Sequence, residues 1–185
     1  MSYDTIVKAV GKLKRRHRES DPFRLCNAMG IRLDYISFGH GADAIKGFFL
    51  EFHRIKSITI NADLPYNMQK IILAHELGHA ALHRKNEVHA FHDLAVFDQS
   101  SILEKEANLF AAELLLDDNE VIQRLSDGLT FSQTAADLNV PMEILDFKFR
   151  VMKWKGYDLK ESPAPATSKF LADIEIPQTS TEFDW

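Results

Sequence analysis

His75 and His79 lie four residues apart inside an apolar stretch of helical period that directly follows a strand-like segment. Side chains at i and i+4 share one face of an α-helix, so both imidazoles can reach a single metal ion. The helix starts at Asp63-Leu64-Pro65 and runs to about Leu82 or His83. Ile71, Ile72, Ala74 and Leu77 pack it inward. Gly78, between the histidines, costs about 1 kcal/mol of helix propensity relative to alanine, which points to close packing against another element.

The full pentapeptide is His75-Glu76-Leu77-Gly78-His79, an H-E-x-x-H pattern. In such a pattern the glutamate beside the first histidine handles a proton on water at the metal. Zinc needs a third protein ligand and an open fourth position. A metzincin would place Gly at 82 and His at 85, where this chain has Leu82 and Lys85. A glutamate from the next helix, Ser101 to Leu116, is the alternative. Leu103, Ala107, Phe110 and Leu114 form its apolar stripe, and Glu106 falls on that stripe. A buried carboxylate is costly unless it is paired or bound to metal. Glu113, one heptad on, remains a rival, while Glu104 at the stripe's edge reads as a solvent salt bridge. Asn108 supports the ligand helix. No oxyanion helper is visible; Tyr66, His83, His89 and His92 are candidates by chemistry alone, with His83 one turn beyond His79. Substrate is expected to lie extended along an edge strand near Ser57 to Asn61.

The rest of the 185 residues sets the frame. Helices are expected over Tyr3 to Arg18, from Asp21-Pro22 to Gly30, Glu120 to Ser126, Phe131 to Leu138 and Pro141 to Lys155. Strands are expected over Ile31 to Phe38, Gly47 to Phe52 and Ser57 to Asn61. This is an α+β class: a zincin-like domain with a small, mainly antiparallel three-stranded sheet packed on helices, followed by a short helix-turn-helix-like region. The divisions are 1–117 for the core, 118–156 for the helical extension packed on it, and 157–185 for an acidic, proline-containing, poorly ordered tail. Phe170, Phe183 and Trp185 are the residues with which that tail would dock.

Charge and cysteine count narrow the classes. Of a net charge of −5, the segment from Tyr157 onward carries −4. The nearly neutral body weighs against general nucleic-acid binding. Phe131 to Pro141, with Ile144, Leu145, Phe147 and Arg150, resembles a helix-turn-helix, but Glu143 and Asp146 on its second helix would repel phosphates. Packing or partner docking is therefore expected. A single cysteine, Cys26, excludes internal disulfides and cysteine zinc clusters, and it reads as a small buried residue. With no apolar run of membrane-spanning length and no signal-like segment over Met1 to Val10, a cytoplasmic location is expected.

Three stretches together carry a resemblance. They are Ser57-Ile58-Thr59-Ile60-Asn61, then Ala74-His75-Glu76-Leu77-Gly78-His79-Ala80-Ala81-Leu82-His83, then Glu106-Ala107-Asn108-Leu109-Phe110-Ala111-Ala112-Glu113-Leu114-Leu115. The chain resembles the ImmA/IrrE family of zinc metallopeptidases, often carried by prophages and mobile elements. The resemblance implies Zn²⁺ held by His75, His79 and Glu106, not Glu113, with Glu76 activating water. It also implies site-specific cleavage of a protein substrate, a helix-turn-helix repressor of a prophage, mobile element or stress regulon. Other members act beside toxin–antitoxin pairs, so a non-cleaving, zinc-containing regulator or antitoxin-type partner is the alternative. Where the family often continues Leu-Leu-Met-Pro, this chain has Leu115-Leu116-Asp117-Asp118, a departure at a helix end.

Overall fold

Local chemistry sets where the first helices begin. The Ser2 hydroxyl accepts from the Thr5 N–H and caps α1 (Tyr3–His17). The Asp21 carboxylate accepts from the Phe23 and Arg24 N–H groups, and Pro22 occupies the first turn of α2 (Pro22–Ala28). Gly30, at φ +67°, turns the chain out of α2 into the sheet. In the computed structural model, residues 1–41, 44–83, 99–163, 165–168 and 170–171 are described. The remaining elements are β1 (Arg32–Ile36), β2 (Gly47–Phe52), β3 (Ile55–Asn61), α3 (Tyr66–Leu82), α4 (Gln99–Leu115), α5 (Asp118–Ser126), α6 (Phe131–Asp137) and α7 (Met142–Trp154). The α+β class is as expected.

The sheet order is β1-β3-β2. β3 pairs with β2 in a hairpin, Gly47 opposite Ile60, through the two-residue turn His53-Arg54. Both turn residues have positive φ, as a primed hairpin turn requires. β1 runs parallel to β3, Arg32 opposite Ser57, so the sheet is mixed. The connection from β1 to β2 carries the chain across to the far side. Asn61 fastens that crossing: its carbonyl accepts from the Phe38 and Asp63 N–H groups, and its amide donates to the Gly39 and Ile45 carbonyls. One expectation is thereby corrected. Ser57–Asn61 lies in the central strand, paired on both sides, so the outer edges belong to β1 and β2.

Two glycines let the layers approach. A Cβ at Gly47 would meet the Ile72 Cγ2 at 2.6 Å, which draws β2 against α3. A Cβ at Gly78 would meet the Ala107 Cα at 3.1 Å and the Ala107 carbonyl oxygen at 3.2 Å, so α3 and α4 touch backbone to backbone. α4 is the hub. It packs against α3, α1 and α7, and from Glu106 to Leu114 every residue is buried. Ile58, Ile60, Leu73, Leu77, Phe110 and Phe147 are among the fully buried side chains of the core.

Glu113, the sequence rival for the metal, is engaged elsewhere. Its carboxylate accepts from Lys148 and Lys155, each at 2.6 Å, and Asp118 completes the cluster. Lys148 is only 1% exposed, and Arg150 pairs with Asp146 and donates to the Ala166 carbonyl. Lys148 and Arg150, two basic side chains of α7, are therefore used internally. Beyond α7, the Ala166 N–H donates to Asp146, and Phe170 (5% exposed) and Leu171 are buried, Phe170 against Phe147. Part of the segment expected as a poorly ordered tail thus lies on the body, because it brings apolar side chains to an apolar face. Phe183 and Trp185 lie outside the described residues. Cys26 is fully buried, and burial pushes its thiol up to about 11. Among the described residues, no helix is long and apolar enough to cross a membrane.

Candidate metal centre

α3 presents His75 and His79 on its α4-facing side, and the Gly78 contact sets how near α4 comes. Their Nε2 atoms are 3.1 Å apart. The Glu104 carboxylate closes the triangle, 3.2 Å from His75 Nε2 and 3.3 Å from His79 Nε2. Among the described residues these three form the group able to hold a metal ion. The spacing fits such an ion. Tetrahedral zinc with bonds of about 2.05 Å has ligand atoms about 3.3 Å apart.

The opposite ring nitrogens are held. His75 Nδ1 is 2.8 Å from the Asn108 carbonyl oxygen, so it carries the proton and donates it, leaving Nε2 as the electron-pair donor. The Asn108 amide donates in turn to the Ser168 carbonyl at 2.8 Å. His79 Nδ1 is 3.1 Å from His83 Nδ1. Burial pushes His79 down to about 3, the main cause being loss of solvation of the charged ring. The imidazole is thus neutral at pH 7, the form a metal ligand needs. Glu76, next to His75 on the same helix, is 3% exposed.

The structure separates the sequence-predicted residues. It brings His75, His79, His83 and Asn108 together, with Glu76 buried beside His75 on α3. It does not bring the Glu106 carboxylate to the two Nε2 atoms. Glu106 instead meets His83 Nε2 at 3.0 Å and forms an ion pair with the Met1 amino group. The structure places Glu104, not Glu106, beside the two Nε2 atoms. The physical reason is helical. Positions two apart do not share a face, whereas Glu104, Ala107 and Asn108 follow the i, i+3, i+4 row that faces α3. Tyr66 is 68% exposed at the start of α3, where it stacks on Phe23, away from the histidines. His89 and His92 lie outside the described residues.

Residues 26–150 match Peptidase_M78, described as the IrrE N-terminal-like domain. The chain belongs to this family. It is similar to Uncharacterized immunity region protein 2 of Bacillus phage phi105, 32% identical over 146 residues, covering 79% of this chain and 90% of that protein. It is also similar to Metallopeptidase ImmA of Bacillus subtilis (strain 168), 36% identical over 97 residues, or 49% of this chain and 53% of that one. Membership of Peptidase_M78 makes the chain a metallopeptidase by family and implies a metal ion. The matched span contains α3, α4 and the His-His-Glu triangle.

Glu104, expected in a solvent salt bridge, instead faces the two histidines, and the Ser168 carbonyl had no sequence expectation. A signal for Glu104 was present: it sits four residues before Asn108, already assigned to the ligand helix. Nothing in the sequence pointed to Ser168, whose contact joins residues 60 positions apart.

Proposed function

We propose that this chain is a zinc-dependent, site-specific endopeptidase whose metal is held by His75, His79 and Glu104. Two imidazoles and one carboxylate are a donor set of catalytic zinc sites. The observation that carries the reading is the triangle of donor atoms at 3.1, 3.2 and 3.3 Å, with one ring already oriented by Asn108. When bound there, zinc would lower the pKa of water toward about 7 and polarise the scissile carbonyl. Glu76 takes the proton from the attacking water and delivers it to the leaving amine. Its place on α3 directly after His75 supports this role. Asn108 keeps the His75 ring turned toward the site. Substrate main chain lies along β2, whose outer side no other described strand covers and which packs directly on α3.

The substrate in this reading is a helix-turn-helix repressor of a mobile element. The immunity-region name of the phage relative supports that setting. The test is co-expression of the chain with the regulator encoded beside it, followed by mass analysis of fragments. Wild type should produce one defined cut. Glu76→Gln should retain zinc yet lower cleavage by at least about 100-fold, the scale of a lost general base. Full cleavage by the variant would remove Glu76 from the mechanism.

A further inference from the structure

Resting on the ligand set above, we propose that Glu106 and His83 are positioning residues, forming a hydrogen-bonded relay that fixes the tautomer and orientation of His79. The relay can be followed atom by atom. His79 Nε2 faces His75 Nε2 and Glu104, so it is the electron-pair donor toward the metal. The ring's proton then sits on Nδ1, 3.1 Å from His83 Nδ1, and is donated there. With Nδ1 accepting, neutral His83 carries its own proton on Nε2. That nitrogen donates to the Glu106 Oε2 at 3.0 Å. Once His79 Nε2 is given to the metal, this is the one proton assignment that satisfies both contacts with two neutral rings.

The arrangement accounts for two features the ligand triangle leaves over. Glu106 is a buried carboxylate that does not reach the two ligand nitrogens, and its place at the end of the relay gives it a partner in His83. His83 sits at the C-terminal end of α3 with its side chain only 5% exposed, one turn beyond His79. The two ligand histidines are thus braced differently. His75 donates to a neutral amide, Asn108, whereas His79 donates through a second imidazole to a carboxylate. A carboxylate at the far end raises the basicity of the ligand ring, and partners of this kind typically change metal affinity 10- to 100-fold.

The test uses the full chain and Zn²⁺ competed against a chelator, with the Co²⁺-substituted absorption spectrum as a second readout. Glu106→Gln and His83→Ala are each expected to bind one metal per chain with the tetrahedral cobalt spectrum kept. Affinity should fall about 10- to 100-fold. The double variant should lose little more than either single one, because both break the same relay. His83→Ala leaves the Glu106 ion pair with the Met1 amino group in place, so it carries the test if Glu106→Gln folds poorly. Affinity within twofold of wild type in both variants would reduce the pair to packing and overturn the proposal. Loss of stoichiometric binding in Glu106→Gln alone would make Glu106 a ligand and overturn it as well. Glu104→Gln, run alongside, separates the two claims. If it binds metal as wild type does, the ligand set fails and the relay with it; if it loses metal while the other two variants are unchanged, the relay alone fails.

Discussion

Gly78 is where the smallest change in the chain bears most directly on the site. Alanine there would gain about 1 kcal/mol of helix propensity. Its Cβ would also press on the Ala107 backbone at 3.1 and 3.2 Å, in the middle of a helix packed on several sides. Overpacking of this kind costs about 1–3 kcal/mol, and backbone cannot swing aside as a side-chain tip can. Gly78→Ala should therefore lower unfolding stability by about 1 kcal/mol net. It should also weaken zinc binding, since Glu104 and Asn108 move with α4. Chemical denaturation and chelator competition check the two effects; a more stable variant with unchanged affinity would contradict the close-approach argument. That His75 and His79 stand side by side was legible because their spacing is a property of one helix. Which carboxylate stands beside them was not. A single inward stripe does not describe α4, which is buried all round from Glu106 to Leu114, so burial could not decide between Glu106 and Glu113, and Glu104 lies just outside that stretch.

The start of α2 was readable from its Asp21 cap and Pro22, whereas α5 begins at Asp118 under an Asp117 cap, two residues before the expected Glu120. Sheet order was not readable, because alternation along a strand does not reveal which strand lies in the middle. That depends on a crossing connection pinned by Asn61. The charge cluster joining α4, α5 and α7 was also invisible, being built from residues far apart in sequence. Its behaviour with pH follows from the sign of each shift. Burial alone would raise Asp118, but hydrogen bonds from Lys148 and Lys155 outweigh it and hold Asp118 below its ordinary 3.8. A carboxylate with a depressed folded-state pKa stabilises above its unfolded value, and that contribution fades as pH falls through the folded one. Wild type should therefore lose stability below about pH 4 more steeply than Asp118→Asn. Urea midpoints across pH 2–6 check this, and parallel acid limbs for the two proteins would contradict it. Lys155 runs the other way. Burial lowers it, but Asp118 and Glu113 raise it overall, so its contribution fades only above pH 10.5.

At the scale of the molecule, the metal centre is tied to the end of the described chain. Ser168 accepts from Asn108, Asn108 accepts from His75, and Phe170 and Leu171 are buried against the body. Deleting residues 162–185 should lower the unfolding temperature and weaken zinc binding by up to about tenfold, because Asn108 loses its anchor. Calorimetry and chelator competition on the truncated chain measure both; unchanged values would assign the segment no role at the site. The α+β frame and the histidine pair on one helix follow from sequence pattern, whereas this long-range tie depends on tertiary packing that no local pattern encodes. The account as a whole rests on which side chains share one cation. Anomalous scattering at the zinc edge, from crystals of the zinc-loaded protein, tests that most directly. The predicted result is a single peak about 2.0–2.2 Å from His75 Nε2, His79 Nε2 and a Glu104 carboxylate oxygen. A peak bound through Glu106, or no peak between the two imidazoles, would contradict it.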